Sequence, residues 1–226
     1  MPEVKICGLI STDDAALISG AGAEDGRPGA GADYAGFVFH APSKRNVSIE
    51  QAREIMAALP ASVRKVAVVV SPTPARAQEI LSLPFDIIQI HGSCPKETLD
   101  AIRIPIWRAV NIANIDELTV SAEEKGMERI SGILIDAKEY GSGQTFDWAA
   151  AEQIRRAARR LGGAIEEKSG RPVKFILAGG LHPGNVSEGI RLFGPDVVDV
   201  SSGVEYDGGR GKDPRKVEAF LKAVRS

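Results

Sequence analysis

The amino-acid sequence predicts an α/β protein, a single-domain (β/α)₈ or TIM barrel, on three observations. Short β-branched apolar runs alternate with longer stretches of helical periodicity, the rhythm of a parallel sheet with helices on its outside. Eight such runs and eight candidate helices can be counted, which points to a closed barrel rather than an open doubly wound sheet. The length of 226 residues lies near the usual size of that barrel and is enough to bury most of the apolar surface in one domain, residues 1–226.

The strands are expected at Val4–Cys7, Tyr34–Phe39, Lys65–Val70, Phe85–Ile90, Ile106–Val110, Gly132–Asp136, Lys174–Ala178 and Val197–Ser201. Most read as continuous apolar runs, as expected when both faces are buried. The helices are expected at Thr12–Gly20, Ser48–Leu59, Pro74–Leu83, Pro95–Ile102, Ile115–Lys125, Trp148–Leu161, Pro183–Leu192 and Pro214–Val224. Ser48 and Gln51 have the spacing of a capping box, and Pro74, Pro95, Pro183 and Pro214 suit a first helical turn, where a missing N–H does no harm. Two segments break the rhythm. Gly20–Gly31 is too rich in glycine to continue a helix, and Gly162–Pro172 is polar and breaker-rich, so both read as surface excursions.

Composition narrows the function classes. Hydrophobic residues make up 43% and charged residues 26%, ordinary values for a water-soluble globule. A formal net charge of -2 leaves no basic field for a nucleic acid or an anionic membrane surface. The chain opens without a charged head followed by an apolar stretch, and no apolar run reaches the roughly 18 residues of a membrane span, so a cytoplasmic location is expected. Cys7 and Cys94 do not have the spacing of a zinc site or a redox pair, and no arrangement of His, Asp, Glu and Cys forms a metal cluster, so no metal is expected.

In a barrel of this kind the loops after the strands form the active face. Gly179 and Gly180 follow one strand, and Ser201, Ser202 and Gly203 follow the last. Both loops set backbone N–H groups beside hydroxyls, as phosphate sites after strands seven and eight do, although such glycines also serve tight turns. Cys7 closes the first strand, where it could act as a base or nucleophile if thiolate is stabilised, or else be core. Asp136 ends the sixth, where partial desolvation would suit a general acid and a loop cap is the alternative. The loop beyond it, Tyr140–Gln144, is rich enough in glycine for Gly141 and Gly143 to approach a ligand as part of a lid. Arg45 suits a carboxylate or phosphate, or else a solvated surface. His91 could line the pocket or hydrogen-bond within the barrel. Cys94, at a helix start, reads as inert.

KICG at Lys5–Gly8, GFVF at Gly36–Phe39, PSKRNVS at Pro42–Ser48, QIHG at Gln89–Gly92, Asp136 with GSGQTFDW, FILAGGL, DVSSGVE and the closing GKD at Gly211–Asp213 stand in one order along nearly the whole chain. Together they resemble the phosphoribosylanthranilate isomerase family. The resemblance implies a cofactor-free, metal-free Amadori rearrangement of a small phosphoribosyl substrate; a monomer or a homodimer is expected, and the sequence does not choose between them. It implies that Asp136 is the general acid that opens the ribose ring and that Cys7, as thiolate, removes the C2 proton. It also implies that Arg45 holds the anthranilate carboxylate and that Gly180, Ser201, Ser202 and Gly203 help bind phosphate. The sequence departs from the family pattern at Ile10, where a threonine is common, at the YGSG of the lid, and in the length of Gly20–Gly31, which lies away from the active face.

Three rival readings share the phosphate loops. A metal-dependent pentose-phosphate epimerase would need several histidine and aspartate ligands at strand ends. The histidine-pathway isomerase resembles a two-aspartate design, with Asp in place of Cys7. A non-catalytic phosphosugar binder would not need Cys7 and Asp136.

Overall fold

A computed structural model describes residues 1–20, 31–111, 129–136 and 151–226. Eight parallel strands close on themselves in chain order: β1 (Glu3–Cys7), β2 (Tyr34–Phe39), β3 (Arg64–Val70), β4 (Ile87–His91), β5 (Ile106–Asn111), β6 (Ile130–Asp136), β7 (Lys174–Leu177) and β8 (Val197–Val200). Closure is made by β1 and β8, which pair Lys5 with Asp199 and Ile6 with Val200. Every expected strand is present to within about two residues at each edge. His91 is the last residue of β4 rather than the first after it, because its carbonyl still accepts from the Ser71 N–H of the neighbouring strand end.

The period of two along each strand sorts residues into two cores. Val4 and Ile6 of β1 and Ala67 and Val69 of β3 face outward and pack beneath the helices. Cys7, Tyr34, Val66, Val68, Trp107, Leu134, Ile176 and Val197 face inward and fill the barrel. Both faces are therefore buried, which is why the strands read as nearly continuous apolar runs.

Seven α-helices are described: α1 (Thr12–Ile18), α2 (Ile49–Ala57), α3 (Pro74–Ile80), α4 (Lys96–Ala101), α5 (Ala151–Ser169), α6 (Val186–Phe193) and α7 (Pro214–Arg225). Their starts follow local chemistry. Ser48 and Gln51 form both arms of the expected capping box on α2. Thr73 and Asp213 cap α3 and α7, and in each the next residue is proline at the first helical position. Pro95 instead occupies the N-cap of α4, and Pro183 lies in the turn before α6, which starts after Asn185. The expected helix Ile115–Lys125, most of the Gly20–Gly31 connection and the start of the expected helix at Trp148 lie outside the described residues.

One expectation is corrected. Gly162–Pro172 is not a surface excursion through most of its length, since α5 runs on through Gly162 and Gly163 to Ser169. The buried stripe Ile154, Ala158, Leu161, Ile165 keeps helical spacing across the two glycines, and packing of that stripe outweighs a helix-propensity loss of about 1 kcal/mol per glycine. Gly170, in the left-handed conformation at φ 66°, ends the element.

Candidate active site

At the C-terminal ends of the strands the barrel opens into a cavity of about 600 Å³. Cys7, Arg45, His91, Asp136, Gly179, Gly180, Ser201 and Ser202, all expected from sequence, line this one cavity. Gly203 stands just behind its wall, against the Leu181 carbonyl. Gly141 and Gly143 lie outside the described residues.

Cys7 is buried at the end of β1. Gly36, its neighbour on β2, leaves room for the sulfur, since a Cβ there would lie 2.8 Å from Sγ. The Cys7 carbonyl accepts from Ser201 Oγ at 3.0 Å and from Lys212 Nζ at 2.7 Å, so the base of the last loop is tied to the first strand. Burial pushes the thiol above its ordinary pKa. Lys5 and Lys212 pull it down, and Asp199 pushes it further up.

Lys5, two residues below Cys7, was not singled out by sequence, yet it is fully buried inside the barrel. Its Nζ donates to Asp199 Oδ2 at 2.8 Å, across the β1–β8 seam. Burial favours the neutral amine, but Asp199 and Cys7 outweigh it and hold Lys5 above the usual lysine value. For Asp199 burial acts the other way, pushing the carboxyl up against the pull of Lys5 and Lys212. A charged pair is the resting form, because an ammonium sealed from solvent requires an anionic acceptor.

Arg45 reaches the cavity from the loop after β2. Its side chain lies across Gly8, where a Cβ would stand 2.4 Å from Arg45 Cδ and where φ is +80°. Arg45 Nε donates to Glu205 Oε1 at 2.5 Å and Nη2 to Oε2 at 3.0 Å. Glu205 also accepts from Lys212 Nζ at 3.2 Å and pairs with Lys44 at 3.4 Å. Burial pushes the Glu205 carboxyl up, but Arg45 and Lys212 prevail and hold it below the carboxylate range. A guanidinium has five N–H groups, so Arg45 can keep Glu205 and still offer donors at the mouth.

His91 both lines the cavity and bonds within the barrel. Gln89 Nε2 stands 2.7 Å from His91 Nε2. Burial, with the nearby charges of Lys5 and Arg108, pushes its pKa down to about 3, so the ring is neutral at physiological pH. Asp136 is partly exposed at the end of β6 and faces the same space. Beyond Val200, the segment Ser202–Val204 forms a single 3₁₀ turn beside the paired glycines of the preceding loop. Among the described residues no group of three or more His, Cys, Asp or Glu could hold a metal ion.

Sequence reasoning missed Lys5, Gln89, Asp199, Glu205 and Lys212. A lysine between Val4 and Ile6, and an aspartate between Val198 and Val200, were the available signals, since an ionisable group in a doubly buried strand needs a partner or a function.

The comparisons with known proteins agree with one another. Residues 4–223 match the family model described as N-(5'-phosphoribosyl)anthranilate isomerase. The enzyme of that name from Streptococcus gordonii is 40% identical over 226 residues, covering 100% of this chain and 98% of its own. Phosphoribosyl anthranilate isomerase from Thermotoga maritima superposes with a TM-score of 0.77 at 34% identity, over 100% of this chain and 99% of that one. A structure of the isomerase in complex with reduced 1-(o-carboxyphenylamino)-1-deoxyribulose 5-phosphate superposes with a TM-score of 0.75 at 32% identity, with coverage of 100% and 99%. On this evidence the chain belongs to the N-(5'-phosphoribosyl)anthranilate isomerase family, enzymes of tryptophan biosynthesis.

Proposed function

We propose that this isomerase works by acid–base catalysis between Asp136 and Cys7, without metal or cofactor. Protonated Asp136 gives its proton to the ribose ring oxygen, and the C1–O bond breaks to leave a protonated Schiff base. Cys7, as thiolate, takes the C2 proton and becomes the thiol, giving an enolamine that tautomerises to the ketone. The two groups must hold opposite protonation states at one pH, which suits two sites with different surroundings: a thiol beside two lysines and a carboxyl at the mouth.

Arg45 takes the anthranilate carboxylate on the N–H groups that Glu205 leaves available. The phosphate falls to Gly179, Gly180, Ser201, Ser202 and Gly203. Gly141 and Gly143, outside the described residues, are assigned to substrate binding. The observation that carries the proposal is the convergence of Cys7, Asp136, Arg45 and the two glycine and serine loops on one cavity sized for a single small ligand.

The test is turnover of freshly prepared phosphoribosylanthranilate, followed through loss of its fluorescence, with chelator-treated protein alongside. Cys7→Ala and Asp136→Asn should each lower kcat by about 10²–10⁴ or more while inorganic phosphate still binds. Parental rates in either folded variant, or loss of turnover on chelation, overturn the proposal.

A further inference from the structure

We propose that Lys5 is a positioning residue for the proton-abstracting step: held inside the barrel by Asp199, its ammonium is the counter-ion of the Cys7 thiolate. The inference rests on the reading of Cys7 as the base.

The geometry begins with the strand. Lys5 and Cys7 stand two residues apart on β1, so both side chains point to the barrel interior, with backbones separated by about 6.6 Å. A lysine side chain spans that gap, so the ammonium that pairs with Asp199 also lies where its charge pulls the Cys7 thiol down. An ammonium has three N–H groups, and Asp199 Oδ2 takes one. A sulfur carrying negative charge is a far better acceptor for another than a thiol is, so Lys5 offsets part of the burial that holds the thiol above its ordinary pKa.

Structural need alone does not account for the pair. Replacing buried ion pairs by well-packed apolar residues is often neutral or stabilising. Here, in addition, Asp199 Oδ1 is buried with no partner among the described residues while Asp199 lines the catalytic cavity. A pair kept only for packing would sit among apolar side chains away from the opening, and this one sits directly below the base.

The other charged groups around Cys7 are committed elsewhere. Lys212, from the segment before α7, is engaged by Glu205, by the Ser201 carbonyl and by the Cys7 carbonyl. Arg45, from the β2 loop, is held by Glu205. His91 on β4 is neutral at physiological pH. Asp136 on β6 faces the mouth and, like Asp199 on β8, opposes a thiolate when charged. Lys5 is therefore the cation whose loss Cys7 should register most strongly.

The experiment uses the full-length protein carrying Cys94→Ser, which removes the only other thiol, one that does not line the cavity. The rate of Cys7 alkylation by iodoacetamide is measured against pH, and kcat/KM for phosphoribosylanthranilate is profiled over the same range. In Lys5→Met the midpoint of alkylation and the acid limb of kcat/KM should both move up by at least about one pH unit, a tenfold loss of thiolate at neutral pH. KM should change less than about twofold, because Lys5 does not reach the substrate.

If Lys5→Met fails to fold, Lys5→Met/Asp199→Asn removes both charges together. Its midpoint should still lie above the parent's, since the pull of Lys5 on the thiol exceeds the push of Asp199. A folded variant of either kind with the parental alkylation midpoint overturns the role of Lys5, while leaving the acid–base assignment standing if the parent turns over. Parental turnover by Cys7→Ala overturns the assignment itself, and the two failures are thereby told apart.

Discussion

Arg45 and Glu205 stand 160 positions apart in the chain and meet in a two-pronged pair, Nε to Oε1 at 2.5 Å and Nη2 to Oε2 at 3.0 Å. The pair fixes the plane of the guanidinium before any ligand arrives, and Glu205 holds Lys212 by the same carboxylate. Glu205→Gln removes the anion and leaves Lys212, almost wholly buried, with carbonyl partners. We expect it to lower stability by about 3–5 kcal/mol, the usual result of breaking a buried pair from one side. KM should rise roughly tenfold, about 1.4 kcal/mol, as Arg45 loses its orientation. Thermal unfolding with steady-state kinetics checks both, and an unchanged KM in the folded variant removes Glu205 from the binding machinery.

Gly8 allows the same arginine to lie where it does. An alanine there would set its Cβ 2.4 Å from Arg45 Cδ, on a backbone at φ +80°. Gly8→Ala should cost about 1–2 kcal/mol in strain and raise KM severalfold while kcat at saturation falls less. Equal loss in kcat and kcat/KM would instead mean that the displaced element is the end of β1, with Cys7.

Gly203 tests the phosphate loops. Its Cβ would fall 1.9 Å from the backbone carbonyl of Leu181, a contact that no side-chain rotation relieves. Gly203→Ala should shift one loop against the other and weaken competitive inhibition by inorganic phosphate by tenfold or more, roughly 1.4 kcal/mol. Unchanged phosphate inhibition would place the anion elsewhere in the cavity.

Acid stability should report His91. Its folded-state pKa is near 3, against an ordinary 6.5 when unfolded. Because the folded value is depressed, the neutral ring contributes no pH-dependent loss above pH 6.5. Below that the unfolded chain binds a proton that the folded chain refuses, and stability falls as pH drops toward 3, with a slope of up to about 1.4 kcal/mol per pH unit from this group. His91→Gln should flatten that part of a urea-denaturation profile, and a profile identical to the parent's would show that other groups set it.

The strands were legible because each is buried on two faces, so β-branched runs such as Val66–Val70 advertise themselves without partners. Positions at strand ends were legible for a related reason, since a polar residue closing an apolar run has only the mouth to face, as Cys7 and Asp136 do. Helix α5 was misjudged because two glycines and a polar stretch masked the spacing of Ile154, Ala158, Leu161 and Ile165. The charge pairs were illegible for a different reason. Lys5 and Asp199 are 194 positions apart, and only the register of the closing seam makes them neighbours.

Far from the mouth, Tyr34 and Trp107 meet edge to face with centroids 4.9 Å apart, and both are sealed from solvent among Val66, Ile176 and Val197. Glu3 grips Tyr34 Oη, Arg64 and Lys174 around them. This plug makes the barrel a blind alley. Among the described residues the cavity opens at the other end, so a product backs out along the path by which its precursor entered, and a molecule lodged in that doorway halts arrival and departure together.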